Sequence, residues 1–425
     1  MDIRAIALEN YFQTLRGNPA AQSLPADLSA GDAAFIKRLL LTALRRQNYI
    51  RAVINGFAIK KLPARPEAAQ LAAFMGAAEI LYFHTPDYAV VNSYVALAKK
   101  LGNKYSGGFV NAVLRKICQN RDSLLAADSD AFFPQNFTAL LRRDYGKKTV
   151  AAIEKAALAE PPLDLTVKSD PRQWAQKLGG ELMGNGSVRL RHVSGSISKL
   201  PGYEEGAWWV QDLASSLAVP ALGDIRGKKV LDLCAAPGGK TAQLINAGAL
   251  VTAVDISKPR LDTLRANLQR LSMKAEAIIA ADALQYLQQC PAYDIIVVDA
   301  PCSATGTLRR HPEIVHTRSE KDIAANAALQ QKMLELATAC LPSQGILLYA
   351  VCSLCHAEGE KQIGDFVARH PEFRIAPISA AEINPFAQSG FNDLITSAGY
   401  IRCLPAYLAD QGGMDGFFVA KLQKE

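Results

Sequence analysis

The chain has 425 residues, of which 49% are hydrophobic and 20% are charged, an ordinary balance for a globular protein of about two or three domains. Its formal net charge is +7. No apolar run reaches the roughly eighteen residues of a membrane span, and the first residues lack a charged-then-apolar leader, so we expect neither a membrane anchor nor a secretory signal.

The positive charge is concentrated in the first third of the chain. Residues 1–148 hold 20 Lys/Arg and 11 Asp/Glu, a net of +9, while residues 149–425 carry a net of −2. This asymmetry predicts an anionic partner for the front of the chain, with nucleic acid as the first candidate. A solvated basic face is the alternative that charge alone leaves open. The eight cysteines are too sparse for a disulfide framework, which favours a reducing cytoplasm.

Residues 1–145 are predicted to form an all-α helical domain. Apolar residues recur there at helical spacing, as in Phe35, Leu39 and Leu44, and Pro and Gly divide the pattern into segments. Helices average roughly 10–14 residues, so this length predicts about five to seven of them.

Residues 146–205 are predicted to form a small α+β linker. Short strand-like runs at 163–167 and 187–190 flank a helix at 171–178. Strands and helices then alternate over 206–425, which is the pattern of a doubly wound α/β sheet.

In this third domain, a predicted strand at 230–233 is followed by a turn of small residues. The turn is rich in glycine and alanine and leads into a helix, so a ligand can lie against main-chain N–H groups at the helix N-terminus. It matches neither the dinucleotide motif G-x-G-x-x-G nor the phosphate loop. The candidate binding residues are Cys234, Ala235, Ala236, Pro237, Gly238, Gly239 and Lys240.

Acidic residues come at the ends of the next three predicted strands: Asp255, Asp282 and Asp299. An acid at the tip of the second strand accepts hydrogen bonds from a ribose diol. Three acids together suit a ligand with a diol, an exocyclic amine and a cationic centre. That describes S-adenosylmethionine better than a dinucleotide, whose pyrophosphate these acids would repel.

Two cysteines also follow strands, Cys302 after the fourth and Cys352 after the fifth. A thiolate beside a methyl donor indicates covalent catalysis on an unreactive ring carbon. We expect Lys240, Arg309 or Arg310 near these thiols, because a cationic neighbour lowers a thiol pKa. The alternative is that both are small buried hydrophobic residues.

Cys352 and Cys355 also form a C-x-x-C pair. Zinc would need two further ligands and only His356 is close in sequence. We therefore expect no metal site and treat Cys355 as incidental.

Five motifs of the chain resemble those of the RNA cytosine-5 methyltransferases. They are 232–241 (DLCAAPGGKT), 299–307 (DAPCSATGT), 309–313 (RRHPE), 349–353 (YAVCS) and 415–418 (DGFF). Within this family the chain is similar to the bacterial Sun/RsmB branch, which joins a NusB-like helical domain to a Rossmann-like catalytic domain and methylates 16S rRNA. The segments 86–92 (PDYAVVN) and 109–115 (FVNAVLR) are similar to its NusB-like motifs.

This resemblance implies a role for each candidate residue. The 234–240 turn would bind S-adenosylmethionine, Asp255 its ribose, and Asp282 would lie by the adenine. Asp299 would act near the methyl donor or the target base, Cys352 would attack C6 of the cytosine, and Cys302 would help to release the product. The family commonly has Thr where this chain has Val351, and Pro and Asn where it has His356 and Gly359.

The expected reaction is therefore formation of 5-methylcytosine in 16S rRNA, at cytosine 967 by resemblance, by a cytoplasmic and monomeric enzyme. The partner would be free 16S rRNA or an assembling small subunit. The alternatives are a ribosome-assembly factor that binds RNA through its helical domain and carries an inactive methyltransferase fold, and, more weakly, a NAD-dependent oxidoreductase.

Overall fold

The structure is a computed structural model that describes residues 2–18, 24–25, 27–63, 66–102, 105–128, 132–193 and 195–425. The chain divides into two units. The first comprises Met1–Arg142 with His311–Thr317, and the second comprises Arg143–Arg310 with Arg318–Glu425. None of the helices among these described residues is long and apolar enough to cross a membrane.

The first unit is helical, as predicted. Its described residues up to 126 form seven helices: α1 (Ile3–Thr14), α2 (Ala30–Arg45), α3 (Gln47–Phe57), α4 (Ala68–Tyr82), α5 (Asp87–Leu101), α6 (Ser106–Gln119) and α7 (Arg121–Ala126). The next helical stretch, α8 (Gln135–Leu158), is broken at Gly146, where φ is 72°.

Helix α4 forms the centre of this unit and is buried along almost its whole length. A Cβ at Gly76 would lie 2.7 Å from Leu114 Cδ1, so α6 packs directly on the α4 backbone. Glu79 of α4 is fully buried and is paired with Arg4 at 2.6 Å. This polar pair lies beside a large cluster of buried apolar side chains.

The short helix α14 (Ile314–Thr317) also belongs to the helical unit, although it comes late in the sequence. The His316 ring packs edge-on against Phe132 at 6.2 Å, and its Nε2 lies 3.4 Å from the Leu44 carbonyl oxygen. The predicted catalytic range 206–425 therefore contains a segment that packs in the helical unit.

The second unit begins with a small antiparallel sheet in the order β2-β3-β1-β4. Its elements are β1 (Leu163–Val167), α9 (Pro171–Leu178), β2 (Glu181–Leu182), β3 (Val188–Leu190) and β4 (Trp208–Val210). The two strand-like runs and the helix of the predicted linker are present. The fourth strand comes from residues beyond 205.

The main sheet has the order β10-β12-β9-β8-β5-β6-β7, with β11 paired to β12. Its strands are β5 (Lys229–Leu233), β6 (Leu250–Asp255), β7 (Ala277–Ala280), β8 (Ile295–Asp299), β9 (Ile346–Val351), β10 (Phe373–Ile375), β11 (Ile401–Cys403) and β12 (Phe417–Lys424). Strands β7, β6, β5, β8 and β9 are parallel, and β12 is antiparallel to β9. The predicted doubly wound sheet is thereby confirmed, with an antiparallel edge.

The helices of this unit after α9 are α10 (Leu213–Ser216), α11 (Gly239–Asn246), α12 (Lys258–Arg270), α13 (Ala283–Leu287), α15 (Glu320–Ala337), α16 (Glu360–Arg369) and α17 (Ala380–Ile383). The strand order reverses at β5, which pairs with β6 on one side and β8 on the other. Open α/β sheets bind ligands outside the carboxyl ends of their strands at such a switch point.

Cys290 and Cys340 form a disulfide. The cysteine count predicted no disulfide framework, and it did not predict this single pair. The pairing depends on a spatial contact between residues 50 positions apart, which the spacing in the sequence does not encode.

Candidate active site at the carboxyl edge of the main sheet

The turn of small residues lies at the switch point, directly after β5. Its backbone enters the left-handed region at Cys234 (φ 58°) and at Gly238 (φ 103°). A Cβ at Gly238 would lie 2.9 Å from Leu264 Cγ, so glycine is needed there for both conformation and space. Desolvation raises the pKa of Cys234 to about 12, which keeps this thiol protonated at neutral pH.

A buried hydrogen bond fixes helix α11 to the strand before the turn. Thr241 Oγ1 donates to Asp232 Oδ2 at 2.6 Å, and both side chains are fully buried. Burial raises the pKa of Asp232 to about 7. The start of α11 is therefore fixed relative to β5.

Asp255 links the turn to the end of β6. Its Oδ2 accepts from Ala236 N at 3.1 Å, and its Oδ1 accepts from Ser257 N at 2.9 Å. Each carboxylate oxygen has a second lone pair that can accept from a hydroxyl. The side chain can therefore support the turn and also receive a diol.

Asp282 follows β7 and caps helix α13, where its Oδ1 accepts from Leu284 N at 2.8 Å and Gln285 N at 3.2 Å. The sequence identified the position of this acid at a strand end. It did not identify the capping role.

Asp299 ends β8 and is paired with Lys240 of α11, Nζ to Oδ2 at 2.8 Å. Lys240 Nζ also donates to Ser215 Oγ at 3.1 Å and lies 4.9 Å from the centre of the Phe417 ring. The sequence did not predict this pair. The strand pattern locates both residues near the carboxyl edge, but the pairing depends on how α11 packs against the sheet.

The two predicted catalytic cysteines are brought into contact, with Cys302 Sγ 3.4 Å from Cys352 Sγ. They lie just beyond the ends of adjacent parallel strands, β8 and β9. The hydrogen bond with Cys352, followed by desolvation, raises the pKa of Cys302 well above its usual range. Cys302 therefore keeps its proton at neutral pH.

Each of the three cations expected near these thiols has another partner. Lys240 binds Asp299. Arg309 Nη2 donates to the Gly412 carbonyl oxygen at 2.6 Å, and Arg310 pairs with Asp212 at 2.8 Å and Asp415 at 3.1 Å. Lys240 and Arg310 thus form ion pairs with carboxylates, while Arg309 binds a main-chain carbonyl.

The C-x-x-C spacing does not bring its two cysteines together as a pair, because Cys352 contacts Cys302. Cys355 is buried, and its Sγ lies 3.8 Å from Thr305 Oγ1. Burial raises its pKa to about 11. Burial and a raised pKa both lower the reactivity of this thiol.

The positions that depart from the family pattern have local explanations. A side chain at Gly359 would meet Arg402 Nη2 at 2.3 Å, and that guanidinium is paired with Glu360 at 2.5 Å. The ring of His356 packs edge-on against Tyr145 at 4.9 Å. Val351 is fully buried at the end of β9.

A cavity of about 580 Å³ borders the turn and Asp299, within the size range of small-molecule sites. Trp209, Asp212 and Ser215 line its other side. Sequence analysis missed these three residues, although the polar run after the Trp pair was a usable signal. It also missed Glu358, a fully buried carboxylate between the two cysteine loops.

The sequence matches two family descriptions: "16S rRNA methyltransferase RsmB/F" over residues 220–423 and "NusB family" over residues 1–119. Curated relatives named "Ribosomal RNA small subunit methyltransferase B" cover its whole length. Those of Erwinia tasmaniensis and Citrobacter koseri are each 32% identical, and each alignment covers 100% of this chain and 99% of the relative.

Two solved structures share the fold. The structure entitled "Crystal Structure of PH0851" is 20% identical with a TM-score of 0.75, covering 100% of this chain and 99% of that one. NSun6 from Pyrococcus horikoshii, solved with SFG, is 19% identical with a TM-score of 0.57, covering 69% of this chain and 98% of that one. The expected combination of a NusB-like helical domain with a Rossmann-like methyltransferase domain is thus confirmed.

The raised pKa of Cys302 predicts its alkylation profile. Iodoacetamide reacts with the thiolate, so modification of Cys302 should require a higher pH than that of an ordinary thiol. Cys352→Ala removes the largest cause of the shift and should move the profile of Cys302 to lower pH. Peptide mass spectrometry across a pH series measures this. Cys355→Ala is the matched control and should leave the profile unchanged. An unchanged pH profile of Cys302 alkylation in Cys352→Ala would contradict the assignment of Cys352 as the main cause of the raised pKa.

Proposed function

Because the chain belongs to the RsmB/F family of 16S rRNA methyltransferases and is therefore an S-adenosylmethionine-dependent rRNA methyltransferase, we propose that it methylates C5 of one cytosine in 16S rRNA through a covalent cysteine adduct. The observation that carries this proposal is the contact between Cys302 and Cys352 at 3.4 Å. Two thiols in contact at adjacent strand ends suit a reaction that forms and then breaks a carbon–sulfur bond.

The residues around the turn fit the cofactor. The small side chains at 235–239 allow a ligand to approach the backbone closely, and Asp255 keeps acceptor capacity on each oxygen for a ribose diol. Asp282, at the end of β7, is assigned to the part of the cofactor site that receives the adenine ring. When bound, S-adenosylmethionine supplies an electrophilic methyl group.

Cys352 is assigned as the nucleophile. Carbon C5 of cytosine is a poor nucleophile until the Cys352 sulfur adds at C6, which makes C5 enamine-like. After C5 is methylated, it loses its proton, and elimination of Cys352 restores the aromatic ring. The target base must first be unstacked and lifted into the site, at a cost of a few kcal/mol.

Cys302 is assigned to the elimination step. Its raised pKa leaves a proton on its sulfur. An S–H donor 3.4 Å away stabilises Cys352 as it departs as a thiolate. Without this donor the leaving group is poorer and the adduct persists.

Asp299 is assigned to contact the target cytosine near its ring atom N3. Addition of the sulfur at C6 moves negative charge onto the ring at N3, and an acid group that donates its proton there stabilises that charge. The contact with Lys240 at 2.8 Å holds the Asp299 carboxyl in one orientation. Lys240 thus acts through Asp299.

The helical unit is assigned to rRNA binding. The net charge of +9 over residues 1–148 suits a phosphate backbone. Lys60, Lys61 and Lys116 are exposed, and Lys116 Nζ lies 3.5 Å from the carbonyl oxygen of Phe57, three residues before Lys60. By resemblance the target is cytosine 967, and the proposed partner is 16S rRNA or an assembling small subunit, bound by a cytoplasmic monomer.

Cofactor binding predicts a specific loss in Asp255→Ala. Removal of a charged acceptor should weaken S-adenosylmethionine binding by about 1.5–3 kcal/mol, measured by isothermal titration calorimetry. Asp255→Asn should lose less, because an amide oxygen still accepts from the turn. Asp262→Ala changes an exposed acid of α12 and should bind normally. Undiminished affinity in Asp255→Ala would remove Asp255 from the cofactor site.

The covalent mechanism predicts opposite behaviour of the two cysteine variants. Cys352→Ala should lose methyl transfer and form no covalent RNA complex. Cys302→Ala should attack and methylate, then stall as a protein–RNA adduct that survives a denaturing gel. Radiolabelled methyl transfer to undermethylated small-subunit rRNA measures activity. Cys355→Ala is the control and should remain active.

The other outcomes of this experiment are informative. Trapping in Cys352→Ala alone would exchange the two roles. Full activity in both variants would make the thiols packing residues. No methyl transfer by the unmodified chain would favour the RNA-binding assembly factor.

The RNA-binding assignment predicts a change in salt dependence. Lys60→Gln/Lys61→Gln should weaken rRNA binding and reduce the slope of log affinity against log salt by about 0.7 per lost phosphate contact. Filter binding across a NaCl series measures the slope. Lys228→Gln/Lys229→Gln changes two exposed lysines of the other unit and is the matched control. An unchanged slope in the first variant would assign these lysines to a solvated face.

A further inference from the structure

The carboxylate of Glu358 is fully buried and accepts four hydrogen bonds. Oε1 receives Ser303 N at 2.8 Å and Gln330 Nε2 at 3.3 Å. Oε2 receives the hydroxyls of Ser303 and Ser353, each at 2.5 Å. All four donors are neutral groups, so their dipoles solvate the carboxylate in place of water.

Two of these donors are the residues that immediately follow the reactive cysteines. Ser303 comes after Cys302 and Ser353 comes after Cys352. The two residues are 50 positions apart in the chain, and their hydroxyls lie 3.3 Å from each other. One carboxylate therefore ties together the two loops that carry the thiol pair.

Neighbouring bonds reinforce the same connection. Gly306 N donates to the Cys352 carbonyl oxygen at 3.0 Å, and Leu354 N donates to Thr305 Oγ1 at 2.9 Å. Tyr349 of β9 donates its hydroxyl to the Glu358 carbonyl oxygen at 2.6 Å, which fixes the turn containing Glu358 against the strand before Cys352. The two cysteine loops are thus bonded to each other, and the turn that contains Glu358 is bonded to β9.

Burial of this carboxylate is expensive for the fold, because neutral donors recover only part of the hydration that the charge loses. An apolar side chain of similar volume would fill the space at lower cost. What it would not supply is an acceptor for two serine hydroxyls and a main-chain N–H at once. The benefit of Glu358 is therefore the geometry that it imposes on the cysteine loops.

We propose that Glu358 is a positioning residue for the thiol chemistry, which holds the Cys302 and Cys352 loops in the one arrangement that keeps the two sulfur atoms in contact. It acts through Ser303 and Ser353 and contacts neither the base nor the cofactor turn. The inference rests on the proposed covalent function of the thiol pair.

The test measures thiol geometry separately from catalysis. Diamide oxidises two thiols to a disulfide at a rate that depends on their contact, and mass spectrometry identifies the Cys302–Cys352 product. Glu358→Ala should slow this oxidation at least about tenfold and reduce kcat about 100-fold, the scale expected when reacting groups are misplaced by about 1 Å. S-adenosylmethionine affinity should stay within about twofold of normal, because the cofactor turn follows a different strand.

Graded variants and a control sharpen the result. Glu358→Gln keeps an acceptor of the same size and should lie between Glu358→Ala and the unmodified protein. Ser303→Ala and Ser353→Ala each remove one bond and should each slow oxidation. Glu372→Gln alters an exposed carboxylate of the same unit and should change neither rate.

Three results would overturn the proposal. The first is normal oxidation in a folded Glu358→Ala protein. The second, which decides the matter if Glu358→Ala does not fold, is normal oxidation in both serine variants. The third is an equal loss of cofactor affinity and thermal stability in the serine variants, which would assign Glu358 to general stability. Oxidation needs no methyl transfer, so an inactive unmodified chain with slowed oxidation in the variants would count against the proposed function alone.

Discussion

The parallel pairing of β8 with β9 is the constraint on which the site depends. Its register sets Asp299 opposite Ala350, so the chain leaves the two strands at nearly the same level of the sheet. Cys302 and Cys352 then meet at 3.4 Å despite 50 residues of intervening chain. A shift of one residue in the pairing of these strands would turn each side chain of the shifted strand to the opposite face of the sheet. It would also separate the two thiols from Asp299.

Several polar side chains of the site serve the fold and the chemistry at once. Asp255 accepts from the backbone of the cofactor turn, Asp282 caps a helix, and Lys240 is bonded to Asp299. Such contacts hold each group in one rotamer before a ligand arrives. Binding and catalysis then require less ordering of side chains.

The contact between the two thiols also explains the protonation of Cys302. Asp212 and Asp415 attract Arg310, and Asp299 binds Lys240. The hydrogen bond between the two thiols, followed by desolvation, raises the pKa of Cys302. The raised pKa of Cys302 suits the role of S–H donor in the elimination step.

Much of the fold and part of the site could be predicted from the sequence, because strand runs, the glycine-rich turn and acids at strand ends are local patterns. These located Asp255, Asp299, Cys302 and Cys352 at one edge of a doubly wound sheet. Only the tertiary structure decided which groups touch: Lys240 with Asp299, and Glu358 with the serines beside both cysteines. Such contacts join segments tens of residues apart, and their distances depend on strand register and helix packing, which no local periodicity encodes.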